Sequence, residues 1–278
     1  MISEQKILPA KLYKYVKPER IDILTEQMIL LSPANSLNDP FEMRPQFVPS
    51  QEDIRNKWDE WVKTEYDILP PEIRNQMSFQ DFKRATEQKN GSWDVRMETV
   101  YEDYGDKLPK LYQKETSSTF GMLCLSEHTH GPDSLLMWAH YAQSHAGLVF
   151  EFDTSGAFFR RFFIRPVEYS NNRPVFSRDG DSREIFLAKS EEWRYEAEWR
   201  LFRSLNELKK RRLDNGQDGY FAGLPVKHIS AVFLGCQISL PIKENVLATL
   251  RLPGREHIKA FQAKLHRTRY ALTLCPLK

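Results

Sequence analysis

The sequence predicts an α+β fold, a central mixed or antiparallel sheet carrying a helical insertion, and three observations lead there. Short apolar or alternating runs of strand length recur along most of the chain. Between about 51 and 115 the texture changes to charged stretches punctuated by Trp58, Trp61, Phe79, Phe82 and Trp93, the pattern of three or four amphipathic helices. A chain of 278 residues with 41% hydrophobic content can fill a core of its own, so a single domain over 1–278 with an insertion at 51–115 is expected.

Taken in order, Leu12-Tyr13-Lys14-Tyr15 reads as a short strand and Pro18 to Glu26 as a helix with proline in its tolerant first turn. Met28 to Ser32 reads as a second strand. Pro33 to Phe41 is turn-rich. Beyond the insertion, Phe120 to Ser126 is a compact strand-length run, and Ser134 to Ala142 suits a short helix capped by Asp133 or Ser134. Gly147 opens the strand Leu148 to Asp153, rich in β-branched and aromatic residues. After a polar loop with Pro174 and Gly180, a helix is expected near Arg183–Ser190, then a strand over Trp193–Phe202. Period two along that strand places Trp193, Tyr195, Ala197, Trp199 and Leu201 on one face and Arg194, Glu196, Glu198 and Arg200 on the other. Ile229–Leu234 reads as a strand, Pro241–Leu250 and Glu256–His266 as helices, and Tyr270–Leu274 as a closing strand.

Charge excludes little: 40 Lys and Arg against 38 Asp and Glu leave a net +2, so a nucleic-acid partner has to be argued from local clusters. Three widely spaced cysteines, Cys124, Cys236 and Cys275, build neither a disulfide framework nor a metal knuckle, which points to a reducing compartment. No apolar stretch reaches the length of a signal peptide core or a membrane span, so a cytoplasmic protein with no membrane partner is expected.

Several segments could carry chemistry. The loop Asn38-Asp39-Pro40-Phe41-Glu42 is either part of a site or an Asx-turn. His128, His130, His140 and His145 cluster in sequence, yet their spacing does not converge as a zinc set would, and no metal is expected. Trp138, His140 and Tyr141 form an aromatic, hydrogen-bonding wall or, for Trp138 and Tyr141, part of the core. Glu196 and Glu198 between Arg194 and Arg200 could divide acid/base and charge-stabilising work; spacing alone favours an exposed salt-bridge ladder. Arg160, Arg161, Arg165, Arg173 and Arg178, interleaved with Phe158, Phe159, Phe162 and Phe163, could combine phosphate contacts with base stacking, or form a solvated rim. A second basic run includes Arg203 and Lys209 to Arg212. Fingerprints of dinucleotide-binding folds, P-loops, nucleophile elbows and zinc proteases are missing.

Five motifs in order carry a resemblance: Leu12 to Tyr15; Leu31-Ser32-Pro33 to Glu42; Cys124-Leu125-Ser126; Leu136 to Ala142 with His145-x-Gly147; and Trp193-x-Tyr195-Glu196-x-Glu198-Trp199-Arg200. Together they resemble a bacterial family of largely uncharacterised proteins related to the abortive-infection proteins called AbiGi. More distantly, the order of parts looks like the ADP-ribosyltransferase superfamily, including DarT-like enzymes. That resemblance implies a sheet of ADP-ribosyltransferase type and NAD as substrate. It assigns the first-strand polar role to Tyr13 or Tyr15, nicotinamide to Ser126 with Trp138 or Tyr141, and the late-strand glutamate to Glu198 or Glu196. Asn38 and His140 join the proposed NAD set, and Arg160, Arg161, Arg165 and Arg173 a nucleic-acid surface.

The leading expectation is therefore an anti-phage defence enzyme that uses NAD and modifies DNA or RNA, with a phage-derived or antitoxin protein as partner. Its competitor is a non-enzymatic module binding nucleic acid or a phage component. A metal-dependent nuclease using Asp39, Glu42 and the histidines ranks third, because no ligand spacing supports it.

Overall fold

The computed structural model describes residues 6–89, 103–129, 131–177, 183–213 and 216–277. Trp93, His130, Arg178 and Gly180, singled out above, lie outside them. The chain forms two compact units, one of Met1–Glu42, Glu115–Asn172 and Phe186–Lys278, the other of Met43–Lys114 and Arg173–Ile185.

The described strands of the first unit are β1 (Lys11–Val16), β2 (Met28–Pro33), β3 (Phe120–Ser126), β4 (Leu148–Asp153), β5 (Ile164–Pro166), β6 (Glu168–Ser170), β7 (Ala188–Ser190), β8 (Glu198–Ser204), β9 (Lys209–Arg212), β10 (Asp218–Gly223), β11 (Ile229–Leu234), β12 (Lys259–Leu265) and β13 (Leu272–Pro276). A large mixed sheet runs β13-β12-β11-β4-β1-β3-β2-β10-β9, with β8 on β3 and β5 on β8; β6 and β7 pair apart from it. Within the large sheet only β11–β12 is parallel among the described ladders.

Alternation explains which face goes where. Leu12 and Val16 of β1, Leu123 and Leu125 of β3, and Phe150 and Phe152 of β4 enter one core cluster with Trp199 and Leu201. Tyr13 and Tyr15 point the other way, into a second cluster with Trp138, Val149 and Phe233.

The junction of β1, β2 and β3 positions the site. β8 occupies one whole edge of β3, from Phe120↔Ser204 to Ser126↔Glu198. The opposite edge of β3 is shared: β1 pairs with it only at Tyr13↔Ser126, and β2 only at Ser32↔Met122 and Pro33↔Gly121. β1 and β2 thus leave the middle of β3 without a continuous ladder on that side. Lys14 compensates, its ammonium donating to the Cys124 carbonyl at 2.9 Å.

Three expectations are corrected. The strand read over Trp193–Phe202 starts only at Glu198: Glu191–Glu196 form a 3₁₀ turn, and Ala197 is left-handed at φ 42°, ψ 53°. Trp193 and Tyr195 therefore do not share a strand face with Trp199 and Leu201. The segment 256–266, read as helical, contains strand β12, because its backbone groups find partners on β11 and β13 that an isolated periodicity cannot reveal. The helix near Arg183–Ser190 stops at Leu187, and residues 188–190 pair with β6 as β7. The short strands β5, β6, β9 and β10 were not anticipated either.

In the second unit, helices Gln51–Asp67, Pro71–Arg74 and Phe79–Lys89 occupy the stretch read as helical. The first opens with a capping box in which Ser50 and Asp53 satisfy each other's backbone amides. Tyr66 packs on Phe79 and Phe82, and Phe47 stacks on Phe176 at 4.7 Å. Gln46 bridges to Val175, which brings part of the expected polar loop into this unit. The helix Leu108–Thr119 runs directly into β3.

Candidate functional site

At the junction of β1, β2 and β3 lies a cleft of about 500 Å³, lined by Tyr13, Tyr15, Asn38, Ser126, His140 and Tyr141. Lys14, Cys124, Glu42, Lys189, Glu196 and Glu198 complete its inner wall. Its size suits a small-molecule site.

The back of the cleft is a row of registered positions. Tyr13 of β1 pairs with Ser126 of β3, and Ser126 pairs with Glu198 of β8. Cross-strand partners project from the same face, so residues 13, 126 and 198, from three separate motifs, stand side by side across neighbouring strands.

Around Glu198 is a buried ion cluster. Arg200, wholly inaccessible, reaches Glu198 through Nε at 2.8 Å, Glu42 through Nη2 at 2.6 Å and the Phe186 carbonyl through Nη1 at 2.8 Å. Lys189 donates to Glu196 at 2.5 Å and Glu198 at 3.0 Å, with Glu42 at 3.6 Å. The Glu198 backbone amide donates to the Tyr169 hydroxyl at 2.8 Å. Three carboxylates thus surround two cations. This overturns the exposed ladder that spacing favoured: Glu196 and Glu198 are each about 3% exposed, and Arg194 is turned outward onto Glu191. The left-handed Ala197 is the reason, since it lets Glu196, at the end of the turn, and Glu198, at the start of the strand, bend onto the same lysine.

Burial, cations and neighbouring carboxylates set the ionisation states. Burial alone would raise Glu198, but Arg200 and Lys189 outweigh it and hold its carboxyl well below the usual range. For Glu42 burial wins, aided by the Glu198 charge against the pull of Arg200, and its pKa is raised. Burial would lower Lys189, but Glu198, Glu196 and Glu42 drive it upward, so it stays charged. Lys14 is shifted down by burial, and the Cys124 thiol is pushed up by burial and then by Glu198.

The rim is built by hydrogen-bonded aromatics. Tyr141 donates to Glu196 and accepts from the Asn38 amide at 3.0 Å. His140 Nδ1 meets the Tyr195 hydroxyl at 2.9 Å, and His128 Nε2 meets Tyr15 at 3.0 Å. Tyr13 donates to Glu151 at 2.9 Å, which Ser230 and Lys11 also hold. Asp39 caps the Phe41 amide at 2.9 Å, the Asx-turn reading, while its neighbours Asn38 and Glu42 reach the cleft.

Of the residues singled out in sequence, Trp138 is set apart: it is fully buried, its indole N–H donates to the Pro132 carbonyl, and the cleft lining does not include it. His145 stacks parallel on Trp138 and its carbonyl accepts from Gln237, a structural role for the His145-x-Gly147 motif. Among the described residues no group of three or more His, Cys, Asp or Glu is placed to hold a metal ion.

The arginine set divides. Arg160 and Arg161 are exposed, Arg165 lies over Phe163, and Arg173 belongs to the second unit, where it donates to the Arg44 and Pro45 carbonyls. Phe158 and Phe159 are core, so they offer no stacking face. Glu42 was singled out in sequence only with its loop and for the nuclease reading, not for the NAD set, and Lys189 not at all. Nothing in the local sequence around a lone lysine in Ala188-Lys189-Ser190 could have flagged it.

Residues 137–201 match the model of a family described as a protein of unknown function (DUF2971). That segment holds the cleft-lining His140, Tyr141, Lys189, Glu196 and Glu198 and the buried Arg200; Tyr13, Asn38, Glu42 and Ser126 lie before it. No curated protein and no solved structure matches the chain.

Proposed function

We propose that the cleft is the active site of an ADP-ribosyltransferase-like enzyme that uses NAD as substrate. The observation that supports this best is the Tyr13–Ser126–Glu198 row, because the positions that the superfamily resemblance assigns to NAD come from three motifs and yet share one face at one cleft. In such a reaction the bond between nicotinamide nitrogen and ribose C1′ breaks, its electron pair leaving with nicotinamide, and positive charge develops on the ribose. Glu198, kept ionised by Arg200 and Lys189, supplies a fixed negative charge for that step. The new bond joins C1′ to the acceptor, whose proton passes to Glu196; Tyr141 and Lys189 hold that carboxylate in the inner wall of the cleft. The resemblance to abortive-infection proteins makes anti-phage defence the proposed setting, with DNA or RNA as acceptor and a phage-derived or antitoxin protein as regulator.

One observation favours a second reading. Each Glu198 oxygen already contacts a cation inside the fold, as in a purely structural ion cluster, which suits a binding module.

Mass-spectrometric detection of nicotinamide released from NAD, with and without cellular nucleic acid, separates the two. Release by wild type, lowered about 100-fold or more in Glu198→Gln, supports the transferase. Because that substitution leaves Lys189 and Arg200 undercompensated, Tyr141→Phe provides a milder companion that removes one rim hydroxyl and should lower release about tenfold or more. Folded wild type that releases nothing under either condition sinks the transferase reading.

A further inference from the structure

A second cavity, also about 500 Å³ and sharing no lining residue with the first, lies where β2 and β10 meet the helical turn Ala157–Arg160. Its apolar part is Phe162, Leu208 and Phe221, and its polar part is Arg161, Arg203, Lys209 and Lys227. The lining carries four such cations against one carboxylate, Glu207, which Arg203 engages at 2.9 Å. Arg161, Lys209 and Lys227 are exposed, and among the described residues none of them is paired with a carboxylate. Three unpaired cations around one pocket repel one another unless an anion joins them.

The aromatic geometry narrows the ligand. Arg203 lies 4.3 Å over the Phe162 ring while its guanidinium pairs with Glu207, which fixes both at the edge of the cavity. Phe162 is half-buried, so part of its surface lines the cavity. Cations beside an aromatic floor match a ligand that is anionic at one end and flat and apolar at the other.

We propose that this second cavity binds a nucleotide, the phosphate held by Arg161, Lys209 and Lys227 and the base packed against Phe162 and Leu208. It draws on no feature of the NAD reading; Arg161 comes from the first basic run picked out in sequence, and Arg203 and Lys209 from the second. The nucleotide could arrive free or as part of a single strand, and the binding arms below distinguish these.

The test is titration of the full chain with three probes: inorganic phosphate, AMP, and a fluorescent eight-residue oligodeoxythymidylate. Lys209→Gln/Lys227→Gln is the paired variant; both side chains are exposed, and circular dichroism checks its fold. Pocket-dependent binding of AMP identifies a free nucleotide. Binding of the oligonucleotide without AMP identifies a strand. In either case the paired variant should bind at least tenfold more weakly. For the strand, the salt dependence should fall by at most about 0.7 in logarithmic slope, the one phosphate contact that the two lysines share. The proposal is overturned if neither nucleotide probe binds, if the paired variant binds as tightly as wild type, or if phosphate alone binds as well as AMP.

Discussion

Lys14 shows how a single residue can belong to structure and site at once. It sits on β1 between Tyr13 and Tyr15, and its ammonium bonds the Cys124 carbonyl where β1 and β3 stop pairing. Burial lowers its pKa, so over a window ending near 10.5 the folded chain has released a proton that the unfolded chain retains. Stability contributed by this group therefore rises with pH through that window. Lys14→Met should flatten the alkaline side of a pH–denaturation curve relative to wild type; an unchanged curve would mean that the amine is solvated. Glu198 could be guessed from sequence because it stood in a recognisable motif. Lys189 could not, because its role depends on three carboxylates brought to it from residues 42, 196 and 198.

At the scale of elements, the segment after the helix Leu135–Tyr141 is the most constrained. Gln143, Ser144 and His145 have φ of 45°, 50° and 68°, three consecutive left-handed non-glycine residues. Hydrogen bonds hold this turn: Gly147 donates to the Ala142 carbonyl, Gly235 to that of Gly147, and Gln237 to that of His145. A Cβ on Gly147 would strike the Val16 carbonyl, and one on Gly235 the His145 carbonyl. Ser144→Gly should thus stabilise the protein by about 1 kcal/mol, read as a higher denaturation midpoint. Gly147→Ala should destabilise it by several times that, on the order of 3 kcal/mol. If the two substitutions acted alike, the turn would not be the strained element described. The motif His145-x-Gly147 was visible in sequence, but its function as a backbone lock between β4 and the loop after β11 was not.

For the whole molecule, the ion cluster ties together the loop at Glu42, β7, the turn ending at Glu196 and β8. Removing one cation leaves buried carboxylates uncompensated, so Lys189→Met should cost about 3–5 kcal/mol, measurable by denaturant unfolding; a loss below about 1 kcal/mol would show that the cluster opens to water. The pH dependence has two opposing parts. Glu198 and Glu151 have depressed folded pKa values, so their contribution is present above the usual carboxyl value of 4.5 and is lost as pH falls through their folded values. Glu42 is raised, so protonating it in mild acid stabilises the fold before the other two are lost. Glu42→Gln should accordingly remove the part of the stability that grows as pH falls towards 4.5, read from denaturation midpoints across that range.

By itself the sequence determined the α+β class, the strands β1 to β4, β8 in part, β11 and β13, the helical stretch after Gln51, and several of the cleft-lining residues, because those features rest on local periodicity and on motifs contiguous in the chain. Tertiary structure alone decided that 259–265 is a strand, that Glu196 and Glu198 are buried on one lysine, and that Tyr13, Ser126 and Glu198 align. Each of these depends on a partner distant in sequence: a neighbouring strand's backbone groups, a cation on another strand, or a cross-strand register. Local pattern carries no information about such partners, and a left-handed Ala197 is enough to overturn a period-two reading that every side chain around it supports.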